Sequence, residues 1–164
     1  MALSIHIRVF RRRDLRRILE IERAAFPGEA YTSRMFGELH QECGDLFFVA
    51  ERSGRILGYM VTCANARKAE IVSIAVDPRR RKRGTGAELM EHSLVELGKR
   101  GVRRLELMVR PTNTVAVRFY RRFGFRRVGA VAHYYDDGGD AIRMTKTLVT
   151  RALRRGRSKQ SQKN

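Results

Sequence analysis

An apolar run that breaks into a basic, glycine-containing loop and then opens a helix constrains this chain most. Glu70-Ile71-Val72-Ser73-Ile74-Ala75-Val76 reads as a strand apolar enough for the middle of a sheet. From Gly84 to about residue 99 the pattern is an amphipathic helix, with Leu89, Met90, Leu94 and Leu97 as its buried stripe. Between them lies Arg81-Lys82-Arg83-Gly84-Thr85-Gly86. Glycines there let the backbone approach a ligand closely, and the free N–H groups of the helix start suit a diphosphate. Arg79 to Arg83 add charge for further phosphate oxygens. Arg81 at the first place departs from GxGxxG, and the run is not GxxxxGK[ST]. A dinucleotide fold and a nucleotide triphosphatase are therefore disfavoured.

The rest of the chain alternates short elements. Ile5 to Val9 fits a strand, and Asp14 is placed to cap a helix carrying Leu15, Ile18, Leu19, Glu22 and Phe26, stopped by Pro27-Gly28. A second helix starts near Thr32 or Ser33. Leu46 to Glu51 and Arg55 to Cys63, joined by Ser53-Gly54, read as a hairpin. After the central helix come a strand over 103–110, a helix capped by Asn113, a strand following Phe123-Gly124-Phe125, a turn at Asp136-Asp137-Gly138-Gly139, and a strand over 141–148. This order predicts an α+β fold. Its sheet is mixed and mostly antiparallel, with one parallel crossover between the fourth and fifth strands and about four helices.

Charge narrows the partners. The chain has 35 Lys plus Arg against 17 Asp plus Glu, a net charge of +18. Of the 35 cations 29 are arginine, which pairs with flat oxyanions, so phosphates, RNA and acidic peptides are natural partners. Residues 1–149 are expected to form the domain and 150–164 a basic, disordered tail able to touch RNA or the ribosome. Only Cys43 and Cys63 are present, without a CxxC pair or an identifiable His partner. They are expected to be packed apolar residues rather than a disulfide or a zinc site. No spacing suggests a metal, no apolar stretch can span a bilayer, and the N-terminal residues lack a secretory h-region. A cytoplasmic protein is expected; its oligomeric state is not legible.

Three ordered motifs resemble the GCN5-related N-acetyltransferase (GNAT) superfamily. Arg81-x-x-Gly84-x-Gly86 matches its diphosphate signature, Val109-Arg110-Pro111-Thr112-Asn113 through Phe119-Tyr120 and Phe123-Gly124-Phe125 its second signature. Tyr134-Tyr135-Asp136-Asp137-Gly138-Gly139-Asp140-Ala141 resembles a stretch of the protein N-terminal acetyltransferases, which include the ribosomal-protein alanine type and archaeal enzymes. The resemblance implies acetyl-CoA as cosubstrate and a splay between the fourth and fifth strands. Ile74, Ala75 and Val76 would then hold the pantetheine arm, and Arg81, Lys82, Arg83, Gly84, Thr85, Gly86 and Ala87 the diphosphate. Asn113 would touch the pantetheine end, Tyr120 would protonate the departing thiolate, and Glu29, Tyr31, Tyr134 and Tyr135 would receive the acceptor.

One departure bears on chemistry. Where many relatives carry Glu or His as a base in the fifth strand, this chain has Met108, which takes no proton. Glu70, or with less support Glu106, is the expected proton acceptor through ordered water. The leading reading is an N-α-acetyltransferase, with direct attack by the amino terminus in a ternary complex. The alternatives are a lysine or small-amine acetyltransferase of the same fold and a catalytically weak, basic RNA- or ribosome-binding module.

Overall fold

The computed structural model of the 164-residue chain describes residues 4–81 and 83–149. Lys82 and the expected tail lie outside the described residues. In chain order the elements are β1 (His6–Val9), α1 (Leu15–Ala25), α2 (Ser33–Cys43), β2 (Phe47–Arg52), β3 (Arg55–Asn65), β4 (Lys68–Val76), α3 (Thr85–Lys99), β5 (Arg104–Val109), α4 (Thr114–Arg122), β6 (Arg126–Val131) and β7 (Ala141–Thr147). The strands form one sheet in the order β1-β2-β3-β4-β5-β7-β6. β1–β2, β2–β3, β5–β7 and β6–β7 are antiparallel, and β4–β5 is the parallel pair. The expected mixed α+β sheet with four α-helices is the one observed.

The chain divides into two compact units, one made of residues 4–64 and 71–97, the other of 65–70 and 98–149. In the first, Phe36 is fully buried, its ring 5.4 Å from that of Tyr59 and perpendicular to it. Phe10 stacks on Phe47 with centroids 4.1 Å apart. Aromatic burial of this kind supplies both transfer free energy and geometry. The β2–β3 turn works because Ser53 and Gly54 both have positive φ, 51° and 74°, which matches the twist of the flanking strands. Gly58 in β3 has a packing reason: an added Cβ would stand 2.7 Å from the carbonyl oxygen of Ala75 in β4. In the second unit Leu105, Leu107, Met144 and Phe125 are buried.

Three local expectations are corrected. Asp14 precedes α1 but makes no side-chain cap to it. Its carboxylate instead takes two hydrogen bonds from the Arg8 guanidinium, both 2.8 Å, and one from the Arg11 N–H at 2.8 Å. A bidentate guanidinium outcompetes a single amide for the same oxygens. Cys43 and Cys63 are joined as a disulfide, with Cα atoms 4.5 Å apart. The residues are distant along the chain, and only the return of β3 alongside β2 brings them together. Leu94 is half-buried, and Ser93 takes the buried place, its hydroxyl donating to the sulfur of Met60 at 3.3 Å. Asn113 caps α4 as expected, accepting from the Ala116 N–H; α2 starts at Ser33, and Thr32 caps it, accepting from the Met35 N–H.

Candidate active site

β4 and the loop after it carry the residues that the sequence assigns to the cofactor. The parallel ladder with β5 spans three pairs, Lys68 to Glu70 against Arg104 to Glu106, while β4 itself runs on to Val76. The loop after it is anchored at Asp77, whose N–H donates to the Leu57 carbonyl at 2.8 Å. The Asp77 carboxylate caps the Arg79 N–H at 3.0 Å and accepts from Arg17 at 2.6 Å. Burial works against this carboxyl, but Arg17 and the Arg79 amide outweigh it and hold its pKa below the usual range.

Gly84 has φ +80°, a conformation that side-chained residues rarely adopt, and its carbonyl accepts the first helical bond of α3 from Glu88. Thr85 follows, 2% exposed, its Oγ1 without a hydrogen-bond partner among the described residues. An orphaned hydroxyl at a helix start whose first N–H groups also lack helical acceptors is a preformed anion seat. Arg81 and Arg83 stand exposed beside it. These residues fit the diphosphate of coenzyme A.

The second unit carries Tyr120 and Glu70, the groups expected from the sequence to act as acid and base. Tyr120, at the end of α4, is 8% exposed, its ring 5.7 Å from Phe125 and 5.6 Å from Phe119. Burial, with a smaller contribution from Tyr135, pushes its pKa well above that of a free phenol. The group therefore stays protonated across the working pH range. Glu70 and Glu106 are register partners across β4 and β5. Burial on one side of the Glu70 carboxyl, and then repulsion from Glu106, raise its pKa, although much of the residue remains in contact with solvent. Glu106 has a cation of its own, Arg143 Nε at 3.4 Å. Met108 lies in the same strand two residues on, as the sequence indicates.

The residues expected to receive the acceptor fall in two stretches of the chain. Glu29 and Tyr31 sit in the connector from α1 to α2, with the Tyr31 N–H donating to Glu22 Oε1 at 3.0 Å. Tyr134 and Tyr135 precede β7, ring centroids 5.0 Å apart and nearly perpendicular. Tyr134 is 45% exposed, and its phenol is raised first by burial and then by Glu70. The Arg110 guanidinium lies 3.9 Å above the Tyr135 ring while its other nitrogens reach Asp137 at 3.1 and 3.3 Å. Gly139 makes room for this, since a Cβ there would stand 2.5 Å from Arg110 Nη1. The Asn113 Oδ1 is engaged in its cap at 3.2 Å, which leaves its amide nitrogen for a ligand.

Sequence reasoning missed one buried network. Glu22 is 1% exposed, and its carboxyl accepts from Tyr31 N–H and from the Tyr59 hydroxyl, which also shares a 2.8 Å bond with Ser73 Oγ. Glu22 occupies the buried stripe of α1, four residues after Ile18, and a carboxylate on an otherwise apolar stripe is the signal that marks it.

A mixed sheet with one parallel β4–β5 pair, and a glycine-led loop that opens α3 directly after β4, are what the resemblance implied for an acyltransferase that draws on a coenzyme A thioester. A family model described as the acetyltransferase (GNAT) family matches residues 15–125, and the chain belongs to that family, with acetyl-CoA as cosubstrate. Among curated proteins, an N-alpha-acetyltransferase of Sulfolobus acidocaldarius is 35% identical over 159 residues, covering 89% of this chain and 94% of the relative. Among solved structures, Ard1 from Thermoplasma volcanium superposes with a TM-score of 0.85 at 30% identity, over 90% of this chain and 99% of that one. The ribosomal-protein-S18-alanine N-acetyltransferase from Escherichia coli gives 0.80 at 30% identity, over 90% and 96%.

Proposed function

We propose that this acetyltransferase acts on the free α-amino group of proteins or peptides. The observation that carries the reading is the weakness of its base: Met108 cannot accept a proton, and Glu70 is a single carboxyl without an ion pair among the described residues. A peptide α-amine with pKa about 7.7–8.0 is roughly a quarter neutral near pH 7.4, whereas lysine at about 10.4 is roughly 0.1% neutral. That ratio is worth roughly 3 kcal/mol, which a lysine-directed site has to recover by base or desolvation. An amino terminus asks least of the residues present.

In this scheme Ile74, Ala75 and Val76 offer strand-like hydrogen bonds to the pantetheine, Asn113 its amide, and residues 81–87 the diphosphate. The acceptor ammonium carries three protons, of which two leave and one is kept. One leaves through water to Glu70, one reaches the departing sulfur from Tyr120, which is reprotonated from the substrate nitrogen, and one stays on the amide. The amine attacks the thioester carbon directly, and no cysteine serves as nucleophile, because both are bonded to each other. Glu29 attracts the ammonium, and Tyr31, Tyr134 and Tyr135 fix the first residues of the acceptor.

The similarity to an enzyme named for ribosomal protein S18 supports ribosomal amino termini as acceptors. The charge of +18 supports contact with ribosomal RNA through the basic surface. No helix among the described residues is long and apolar enough to cross a membrane, and we place the enzyme in the cytoplasm, where amino termini emerge. The Cys43–Cys63 bond stands against the usual chemistry of that compartment, where structural disulfides are ordinary mainly in hyperthermophiles.

Release of free coenzyme A, measured with a panel of short peptides against spermidine and amino-terminally blocked lysine peptides, tests the reading. Turnover confined to free amino termini is expected. Turnover on blocked lysine peptides alone defeats it.

A further inference from the structure

The first unit contains an open cleft of about 670 Å³, walled by β1, the start of α1, the β2–β3 turn and the beginning of the loop after β4. Its lining is charged throughout except for Gly54 and Ile56. A cleft of this size takes a ligand larger than a single ion, but one whose apolar content is low.

The charges are not distributed as a solvated surface would have them. The four carboxylates, Asp14, Glu20, Glu51 and Asp77, are all claimed by two of the six arginines. Arg8 bonds Asp14 at 2.8 Å and Glu51 at 3.3 Å, and Arg17 bonds Asp77 at 2.6 Å and Glu20 at 3.2 Å. Asp14 and Asp77 are themselves buried, so these pairs form a fixed floor. The remaining four arginines, Arg13, Arg55, Arg79 and Arg80, make no ion pair or side-chain hydrogen bond among the described residues. Arg13 and Arg79 only feel the already bonded Asp14 and Asp77 at longer range. Four guanidiniums around one cleft repel each other, and the carboxylates that could relieve them are spent. An anion carrying several charges relieves all four at once.

We infer that this cleft binds adjacent phosphate groups, supplied either by an RNA backbone or by a small polyphosphate. Guanidinium forks match phosphate oxygens in pairs, which phosphates repeat at short intervals and a single carboxylate does not. The inference goes beyond acetyl transfer and does not depend on it.

The test uses the full chain and two probes, a fluorescein-labelled single-stranded RNA of about a dozen nucleotides and inorganic tripolyphosphate, the latter both titrated directly and used as a competitor. Arg13→Glu/Arg55→Glu is the cleft variant, chosen because neither residue belongs to the acetyl-CoA loop. Arg118→Glu/Arg126→Glu, exposed in the other unit, makes the same change in net charge elsewhere. The cleft variant is expected to lose at least about tenfold in affinity. For RNA its salt slope should fall by about 1.4, the loss of two phosphate contacts on a single strand. The control pair should lose no more than about threefold, and the KM for acetyl-CoA should not move in either. Arg13→Gln/Arg55→Gln, which only neutralises, should show a smaller loss in the same direction and serves if the reversal fails to fold. RNA binding that tripolyphosphate displaces only at millimolar levels assigns the phosphates to RNA, and tight tripolyphosphate with weak RNA assigns a small anion. Equal losses in the cleft and control pairs, equal binding of polyglutamate, or no binding of either phosphate probe by the unmodified chain overturns the inference.

Discussion

Replacing Tyr59 by phenylalanine isolates the buried network beside the α1–α2 connector. The ring of Tyr59 is fully buried against Phe36 and Phe47, and phenylalanine keeps those contacts. What disappears is one hydroxyl, the donor to a Glu22 carboxyl that is 1% exposed and the partner of Ser73 Oγ. A hydrogen bond to a charged group contributes about 1.5–3 kcal/mol, whereas Ser73, half-buried, can turn to water at little cost. The expected destabilisation near neutral pH is therefore about 2–3 kcal/mol, or roughly 4–12 °C in Tm for a chain of this size. The effect also has a sign in pH. Burial raises the Glu22 pKa, and the Tyr59 and Tyr31 donors partly restore it. A carboxyl whose folded pKa exceeds its unfolded value weakens the fold as pH climbs from the unfolded value through the folded one. Without Tyr59 the folded value rises further, so the loss in Tm should be larger at pH 8 than at pH 5. As pH falls and the carboxyl takes up its proton, the bond becomes an ordinary one of about 0.5–1.5 kcal/mol. Thermal unfolding followed by circular dichroism at the two pH values measures both quantities. A change below about 1 °C, or an equal change at both pH values, refutes the reasoning.

Other consequences are open to measurement. Tyr120→Phe should lower kcat by about 10²–10⁴ while leaving the affinity for acetyl-CoA within about twofold, as steady-state kinetics and calorimetry would show. Glu106→Gln removes the repulsion that raises the Glu70 pKa, so the acidic limb of the kcat/KM profile should move to lower pH. In Glu70→Gln the limb should shift to that of the acceptor amine alone, and an unchanged pH–rate curve would exclude Glu70 as acceptor. Reduction of the Cys43–Cys63 bond, which closes a segment of 20 residues, should cost about 3 kcal/mol by the loop-entropy account, read as a lowered urea midpoint with reductant present.

The elements were legible because local chemistry agreed with the global fold. Alternation in β1, the Ser53-Gly54 turn and the Asn113 cap each follow from a few neighbouring residues, and each is found. The strand–glycine–helix turn at Gly84 was legible for the same reason, since its three parts are contiguous. What the sequence hid is non-local. Asp14 looked like a helix cap because nothing nearby announced Arg8 as its partner through the turn. The disulfide, the Glu22–Tyr59–Ser73 chain and the Arg110–Tyr135 contact all join residues that meet only after sheet pairing or loop closure. The preference for Glu70 over Glu106 likewise depends on Arg143, which arrives from β7.

At position 58 the neighbouring strand has moved into the volume a methyl group would occupy, so that even alanine would press on the oxygen of residue 75 at 2.7 Å. The position is thereby withdrawn from neutral drift. A library randomised there and selected for acetyl transfer should return glycine almost alone, and rare survivors should carry a compensating change along residues 74–76, where the displaced backbone has to be accommodated.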